Sequence, residues 1–270
     1  MRDILSKLGD SEGVEPQKAA QQAMRPKQAK RFYKQVSVSQ QESGEPQEEK
    51  TAFAILLDGR AVKTPARHPL CLPNQPSADI IAAEWEAQNE LIDAATMPAT
   101  RLVNTAIDGI ASDPQAVLED MLKFASSDLV CYRASAPPEL VDLQNQEWDP
   151  VLDWLSEAFG ASFETTQSLI MIEQPKAAIT AISAALRQWP DPILIGALHT
   201  FTTLTGSVFL ALAIASGHYS AEQAWKIAHV DEDWNIRTWG EDYESNKRRD
   251  NRFKELKAAA LLFHAINANP

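Results

Sequence analysis

The sequence predicts an α+β protein, with a small antiparallel β-rich N-terminal domain followed by a larger all-helical domain. Three observations carry this expectation. Apolar and polar residues alternate with period two between about residues 31 and 72. An Asp58-Gly59 pair sits inside that stretch with apolar runs on both sides, the pattern of a two-residue hairpin turn. Beyond Pro73 the apolar spacing changes to three and four, and Asp-Pro pairs punctuate the chain.

Taken in order, residues 1–30 are polar, rich in Gln, Ala and Lys, and interrupted by Pro16 and Pro26; they read as a flexible N-terminal arm. Residues 31–95 read as the β-rich domain. Its first strand is expected over Arg31–Val38, where Phe32, Lys34, Val36 and Val38 alternate with Tyr33, Gln35 and Ser37. Residues 39–50 are hydrophilic and read as a loop. Phe53–Leu57 supplies the second strand, and Arg60–Thr64 returns as the third after the Asp58-Gly59 turn. Leu70–Leu72 supplies a short fourth strand. Ser77 is the expected cap of a helix carrying Ile80, Ile81, Trp85 and Gln88 on one side, and Glu90–Asp93 is expected to rejoin the sheet.

Residues 96–270 read as the helical domain. Asp113-Pro114, Asp149-Pro150 and Asp191-Pro192 mark helix starts, because Asp caps and Pro tolerates the first helical position. Ser220-Ala-Glu-Gln223 has the capping-box pattern. Helices are expected near 100–111, 114–130, 138–160, 175–188, 192–204, 207–216, 220–246 and 248–267, with a short extended piece between Thr165 and Ile172. No charged residue occurs from Pro192 to Ala221. His199, Thr200, Thr202, Thr203, Thr205 and Ser207 lie in that run and Gly206 divides it, so it reads as buried helix rather than a stable membrane insertion.

Charge and composition narrow the function. The chain has 270 residues and a net charge of −12, which argues against a phosphate-backbone binder, so no nucleic acid partner is expected. The charge is uneven: residues 1–34 carry eight basic and four acidic groups, leaving the remainder strongly acidic. Those four acids and the lack of an apolar stretch argue against an export or transit signal. Cys71 and Cys131 are far apart and have no CxxC spacing, so neither a disulfide framework nor a zinc ribbon is expected. There is no phosphate-cradling glycine loop, nucleophile elbow or HExxH motif, and His68, His199, His218, His229 and His264 are scattered. No catalytic residue, metal or cofactor is assigned.

The densest polar-aromatic cluster is Ala224–Tyr243. Read as one helix, it places Asp231, Asn235, Thr238 and Asp242 on one stripe and Val230, Trp234 and Glu241 on another. Three readings stay open. It is a bundle helix whose Glu241 is tied to an Arg such as Arg101 or Arg133, since a carboxylate on an apolar stripe needs a partner. It is a metal site of Asp231, Glu232 and Asp233, a poor arrangement because consecutive helical residues diverge. Or it is a protein-binding surface with Trp234 and Trp239 as anchors and Asp231, Glu241 and Asp242 at the border, facing a basic or backbone-exposing partner. A small-molecule acid-base enzyme using the carboxylates of 231–242 with a nearby His is a further alternative. Arg101, Asn104 and Asp108 recur on one helix face as a polar network or a binding face.

Many short strings occur in one order along the chain: Arg31-Phe-Tyr-Lys34, Leu57-Asp-Gly-Arg-Ala-Val-Lys-Thr-Pro65, Ala82-Ala-Glu-Trp-Glu-Ala-Gln88, Ile92-Asp93, Thr96-Met-Pro98, Thr100-Arg-Leu102, Asn104-Thr-Ala-Ile-Asp-Gly109, Asp128-Leu129, Tyr132-Arg133, Trp148-Asp-Pro-Val-Leu-Asp-Trp154, Leu204-Thr-Gly-Ser207, Asp231-Glu-Asp-Trp234 and Trp239-Gly-Glu-Asp242. Together, over residues 31 to 246, they resemble the "ATP twelve" family of ATP synthase assembly chaperones. The resemblance implies a small β domain followed by a helical domain, and a non-enzymatic chaperone of mitochondria and alpha-proteobacteria. Such a chaperone binds the free ATP synthase alpha subunit, covers the surface that later meets beta, and prevents aggregation until then. It also implies a functional role for Glu241, which matches an important Glu of the family's Trp-Gly-Glu-Asp region. The lack of a presequence points to a bacterial cytoplasmic member; a eukaryotic one would act in the mitochondrial matrix.

Overall fold

The computed structural model describes residues 29–42, 51–168 and 170–268. Its contacts divide the chain into two units, Met1–Phe32 with Gln88–Asp93, and Tyr33–Ala87 with Ala94–Pro270. In the first unit, Lys30 bridges Leu91 in antiparallel fashion. Arg31 N–H donates to Glu90 O at 2.9 Å and Ile92 N–H to Ala29 O at 2.8 Å. Glu90–Asp93 therefore pairs with residues 29–31 and does not rejoin the sheet.

The second unit begins with four strands, β1 (Val36–Glu42), β2 (Thr51–Leu57), β3 (Arg60–Ala61) and β4 (Cys71–Leu72). β2 is central. It pairs antiparallel with β1 from Val36↔Leu57 to Glu42↔Thr51 on one side, and with β3 and β4 on the other. Asp58 and Gly59 both have positive φ, 48° and 77°, as a type I′ turn requires. The first strand starts at Val36, later than Arg31, and runs into the polar stretch expected to be loop. β1 is an edge strand, so its main-chain ladder holds it and its side chains need not be apolar. Residues before it serve packing: Tyr33 is buried edge-on against Trp85, ring centroids 5.7 Å apart, and its hydroxyl donates to Trp85 O at 2.6 Å.

Ten α-helices follow among the described residues. Helix α1 (Gln75–Glu86) packs on the sheet through the fully buried Ala78 and Ile81. Its cap is Asn74, whose side chain accepts from Ser77 N–H at 3.0 Å; Ser77, the expected cap, lies one turn inside. Next come α2 (Pro98–Asp108), α3 (Pro114–Ser126), α4 (Pro138–Phe159) and α5 (Lys176–Leu186). Asp113 caps α3 as its Asp-Pro pair predicts. Asp149-Pro150, by contrast, lies inside α4, where Asp149 pairs with Arg133 at 3.0 Å. The extended piece near 165–172 is a single parallel bridge between Thr166 and Tyr132.

The uncharged run becomes two helices, α6 (Pro192–Thr205) and α7 (Val208–Ala215), divided at Gly206 with φ +71°. All eight residues of α7 are buried, so it is apolar all round because protein surrounds it. Among the described residues no helix is long and apolar enough to cross a membrane. Asp128, wholly buried, accepts from Val208 N–H at 2.8 Å and Phe209 N–H at 3.3 Å and so caps α7 together with Ser207. Burial pushes its carboxyl up to about 7.

Among the described residues, Asn74, Glu84 and Asp108 carry polar contacts between the sheet with its helix α1 and the later helices. Asn74 Nδ2 donates to Ala265 O at 2.8 Å. Glu84 accepts from Ala99 N–H, Thr100 N–H and Thr100 Oγ1 at 2.7–2.8 Å, capping α2. Asp108 accepts from Thr64 Oγ1 at 2.5 Å and Ala66 N–H at 2.9 Å. Among the described residues Arg101 pairs with Glu255, Asp108 reaches Thr64 and Ala66, and the buried Asn104 Oδ1 meets no hydrogen-bond donor, so the three reach no common partner.

Candidate protein-binding surface

The polar-aromatic cluster is carried by α8 (Ala221–Ala228), α9 (Val230–Trp239) and α10 (Tyr243–Asn267). Ser220 and Gln223 form the expected capping box at the start of α8. The single helix expected over 220–246 is broken twice. His229, with φ −110° and ψ 24°, separates α8 from α9. Gly240, with φ +91° and ψ 174°, ends α9 in a conformation that essentially only glycine adopts. The continuous stripes therefore do not exist, and Glu241 is not on the apolar face of a helix.

Each predicted site residue has its own setting. Asp231 is half-buried and accepts from Gln144 Nε2 at 2.7 Å, which ties α9 to α4. Trp234 is half-buried, with the Arg237 guanidinium 5.5 Å from its ring centroid. Trp239 is 84% exposed, and Tyr243 at the start of α10 is 79% exposed. Glu241 is exposed and accepts from Asn246 Nδ2 at 3.0 Å. It pairs with neither Arg101 nor Arg133, whose carboxylate partners are Glu255 and Asp149. Asp242 caps α10, accepting from Ser245 N–H at 2.8 Å. The Ser245 hydroxyl and N–H hold its carboxyl below the ordinary carboxylate range.

The structure adds residues that the sequence reading passed over. Arg248, Arg249 and Arg252 from α10 face α9 across a cleft of about 500 Å³ that also includes Ile236, Trp239 and Asp242. Arg249 is paired with Asp233 at 2.6 Å and lies 4.0 Å from Glu232. Below them His229 is buried, its Nδ1 2.8 Å from Trp225 O and its ring centroid 3.7 Å from that of Trp225. Burial lowers its pKa below the usual imidazole value. Glu241 borders a neighbouring depression of about 440 Å³ that also takes in Arg249 and Phe253. The one available signal was the run Lys247-Arg-Arg-Asp-Asn-Arg-Phe-Lys254, a dense basic cluster in an otherwise acidic body. Asp231 is turned to Gln144 while Glu232 and Asp233 lie against Arg249, and no group of three or more metal-ligating side chains converges among the described residues.

An exposed aromatic edge therefore lies beside an arginine-lined cleft on a mainly helical body. Comparison with known proteins gives the family. The ATP12 chaperone protein family matches residues 30–156, from the start of the described chain into α4. A proposed chaperone of Agrobacterium tumefaciens is 46% identical, with a TM-score of 0.84 over 94% of this chain and 92% of that one. Atp12 from Paracoccus denitrificans is 33% identical, with a TM-score of 0.79 over 88% of this chain and 98% of that one, and a point mutant of it gives the same figures. The chain belongs to the ATP12 chaperone family.

Proposed function

We propose that this chain is a chaperone for assembly of the catalytic sector of the proton-translocating ATP synthase. It binds the unassembled alpha subunit and prevents its aggregation until beta takes its place, acting in a bacterial cytoplasm without a chemical step of its own. The observation that carries this reading is the pair Trp239 and Tyr243, large aromatic side chains left 84% and 79% exposed on a member of a chaperone family. Side chains of this kind anchor protein interfaces, and an unpartnered subunit presents apolar area that needs covering. Trp239 and Glu241 are the contact residues, with Trp234, Asp231 and Asp242 holding them in place. The acid-base alternative draws no support from Asp242, whose carboxyl Ser245 holds below the ordinary carboxylate range, away from neutrality.

The test is light scattering by isolated alpha subunit, without added nucleotide. Near-stoichiometric chaperone is expected to suppress the aggregation. Unchanged aggregation in large molar excess of chaperone overturns the reading.

A further inference from the structure

We infer that α9 is a latched strap: the Asp233–Arg249 ion pair holds the far end of α9, with Trp239, in place relative to Tyr243, and opening of that pair releases the client. The release role rests on the client reading above; the strap itself does not.

Helix α9 is anchored at one end. Of its ten residues only Val230, the first, is buried, and the next, Asp231, is tied to Gln144 on α4. In its second half Asn235, Arg237, Thr238 and Trp239 are exposed and Ile236 is half-buried. By contrast α8, with eight residues, buries four, and Trp148 Nε1 donates to Ile227 O at 2.8 Å to hold it. No side chain caps the start of α9, and a helix of about three turns is marginal without packing. The helix that α9 packs on is α4. Between α9 and α10 lie the two depressions of about 500 and 440 Å³, which share Ile236, Asn246 and Arg249. Among the described residues, the ion pairs that cross from α9 to α10 all end on Arg249, from Asp233 at 2.6 Å and Glu232 at 4.0 Å. The Arg249 and Asp233 side chains are 21% and 39% exposed, and ion pairs that water reaches are weak and screened by salt. Gly240 supplies the hinge, since a residue without a Cβ moves among backbone conformations closed to others. Trp239 stands just before it on α9. Tyr243 follows it on α10, a continuous 25-residue helix whose buried residues begin at Leu256. When the ion pair parts, Trp239 swings away from Tyr243, and a client held by both anchors keeps only one.

Native-state hydrogen exchange on the free protein tests the strap. The amides of Asn235–Trp239 are expected to exchange faster than those of α8 and of Leu256–Ile266. Arg249→Gln and Asp233→Asn each break the pair, and each is expected to raise that exchange ~3–10-fold while α8 and Leu256–Ile266 stay as in wild type. Raising salt from about 0.05 M to about 0.5 M is expected to raise it in wild type, which gives a reading that needs no variant. Equal exchange in the three segments, or no response to either substitution or to salt, overturns the strap. In complex with isolated alpha subunit, both variants are expected to dissociate ~3–10-fold faster than wild type. The two remove charges of opposite sign, so a direct electrostatic contact with the client would move their dissociation rates in opposite directions. That result, or unchanged dissociation, overturns the release role. If wild type itself does not bind alpha, the client reading falls, and hydrogen exchange still decides the strap.

Discussion

Glu241 is exposed, and among the described residues its hydrogen bond is to Asn246. Glu241→Lys is therefore expected to shift the melting temperature by no more than about 2 °C, as surface changes away from special features do. It should still reduce suppression of alpha-subunit aggregation, because it reverses charge beside Trp239; full activity with an unchanged melt would remove Glu241 from the contact surface. Asp128 lies at the other extreme, wholly buried with its carboxyl raised to about 7. The folded state keeps that proton over a pH range in which the unfolded chain, with an Asp pKa near 3.9, has released it. The contribution of this group to stability is then greatest below about pH 4, falls as pH rises towards about 7, and is constant above. In Asp128→Asn the falling limb is absent. The stability of the variant relative to wild type should thus rise by on the order of 4 kcal/mol between the two limits. Denaturant midpoints across that pH range give the measurement, and a pH-independent difference would contradict the assignment. The sequence marks Asp128 only within the Asp128-Leu129 string and does not reveal its burial, which depends on α7 arriving from 80 residues away.

The elements that could be read from the sequence were those fixed by local chemistry. The Asp58-Gly59 turn, the Asp113 and Asp191 caps and the Ser220 capping box all stand where residue type alone put them. Elements set by their surroundings were harder to read. β1 keeps polar residues because one neighbour suffices to hold its main chain. The break between α9 and α10 rests on Gly240, which a helical pattern tolerates on paper but whose φ of +91° only the folded chain reveals. That break takes Glu241 off the helix, and so the stripe argument for a buried ion pair failed with it. Gly240→Ala tests the element directly. A Cβ there meets nothing within 4 Å, so any loss comes from backbone conformation. A destabilisation of about 1–3 kcal/mol is expected in chemical denaturation, with weaker client binding as Trp239 is re-aimed. An unchanged midpoint would show that the turn relaxes without cost.

For the molecule as a whole, the sheet and the helices meet through Asn74, Glu84 and Asp108. Asn74 serves twice, capping α1 and donating to Ala265 near the end of α10. A helix cap is worth about 1 kcal/mol and a buried acceptor left without its donor about 1–3 kcal/mol more. Asn74→Ala should therefore destabilise the protein by roughly 2–4 kcal/mol. In wild type, tryptophan fluorescence and helical circular dichroism should report one coincident transition. Separate midpoints would mean that the seam does not couple the two regions.

Helix α10 also packs against α1, α2, α6, α7 and α8, and it is synthesised last of them. The apolar faces of those earlier helices consequently leave the ribosome well before the surface that covers them exists. A nascent copy of this chain passes through the same exposed condition that, on the function proposed above, its mature form relieves in a client, and ribosome-bound chains stalled before residue 243 should be captured by general holdases.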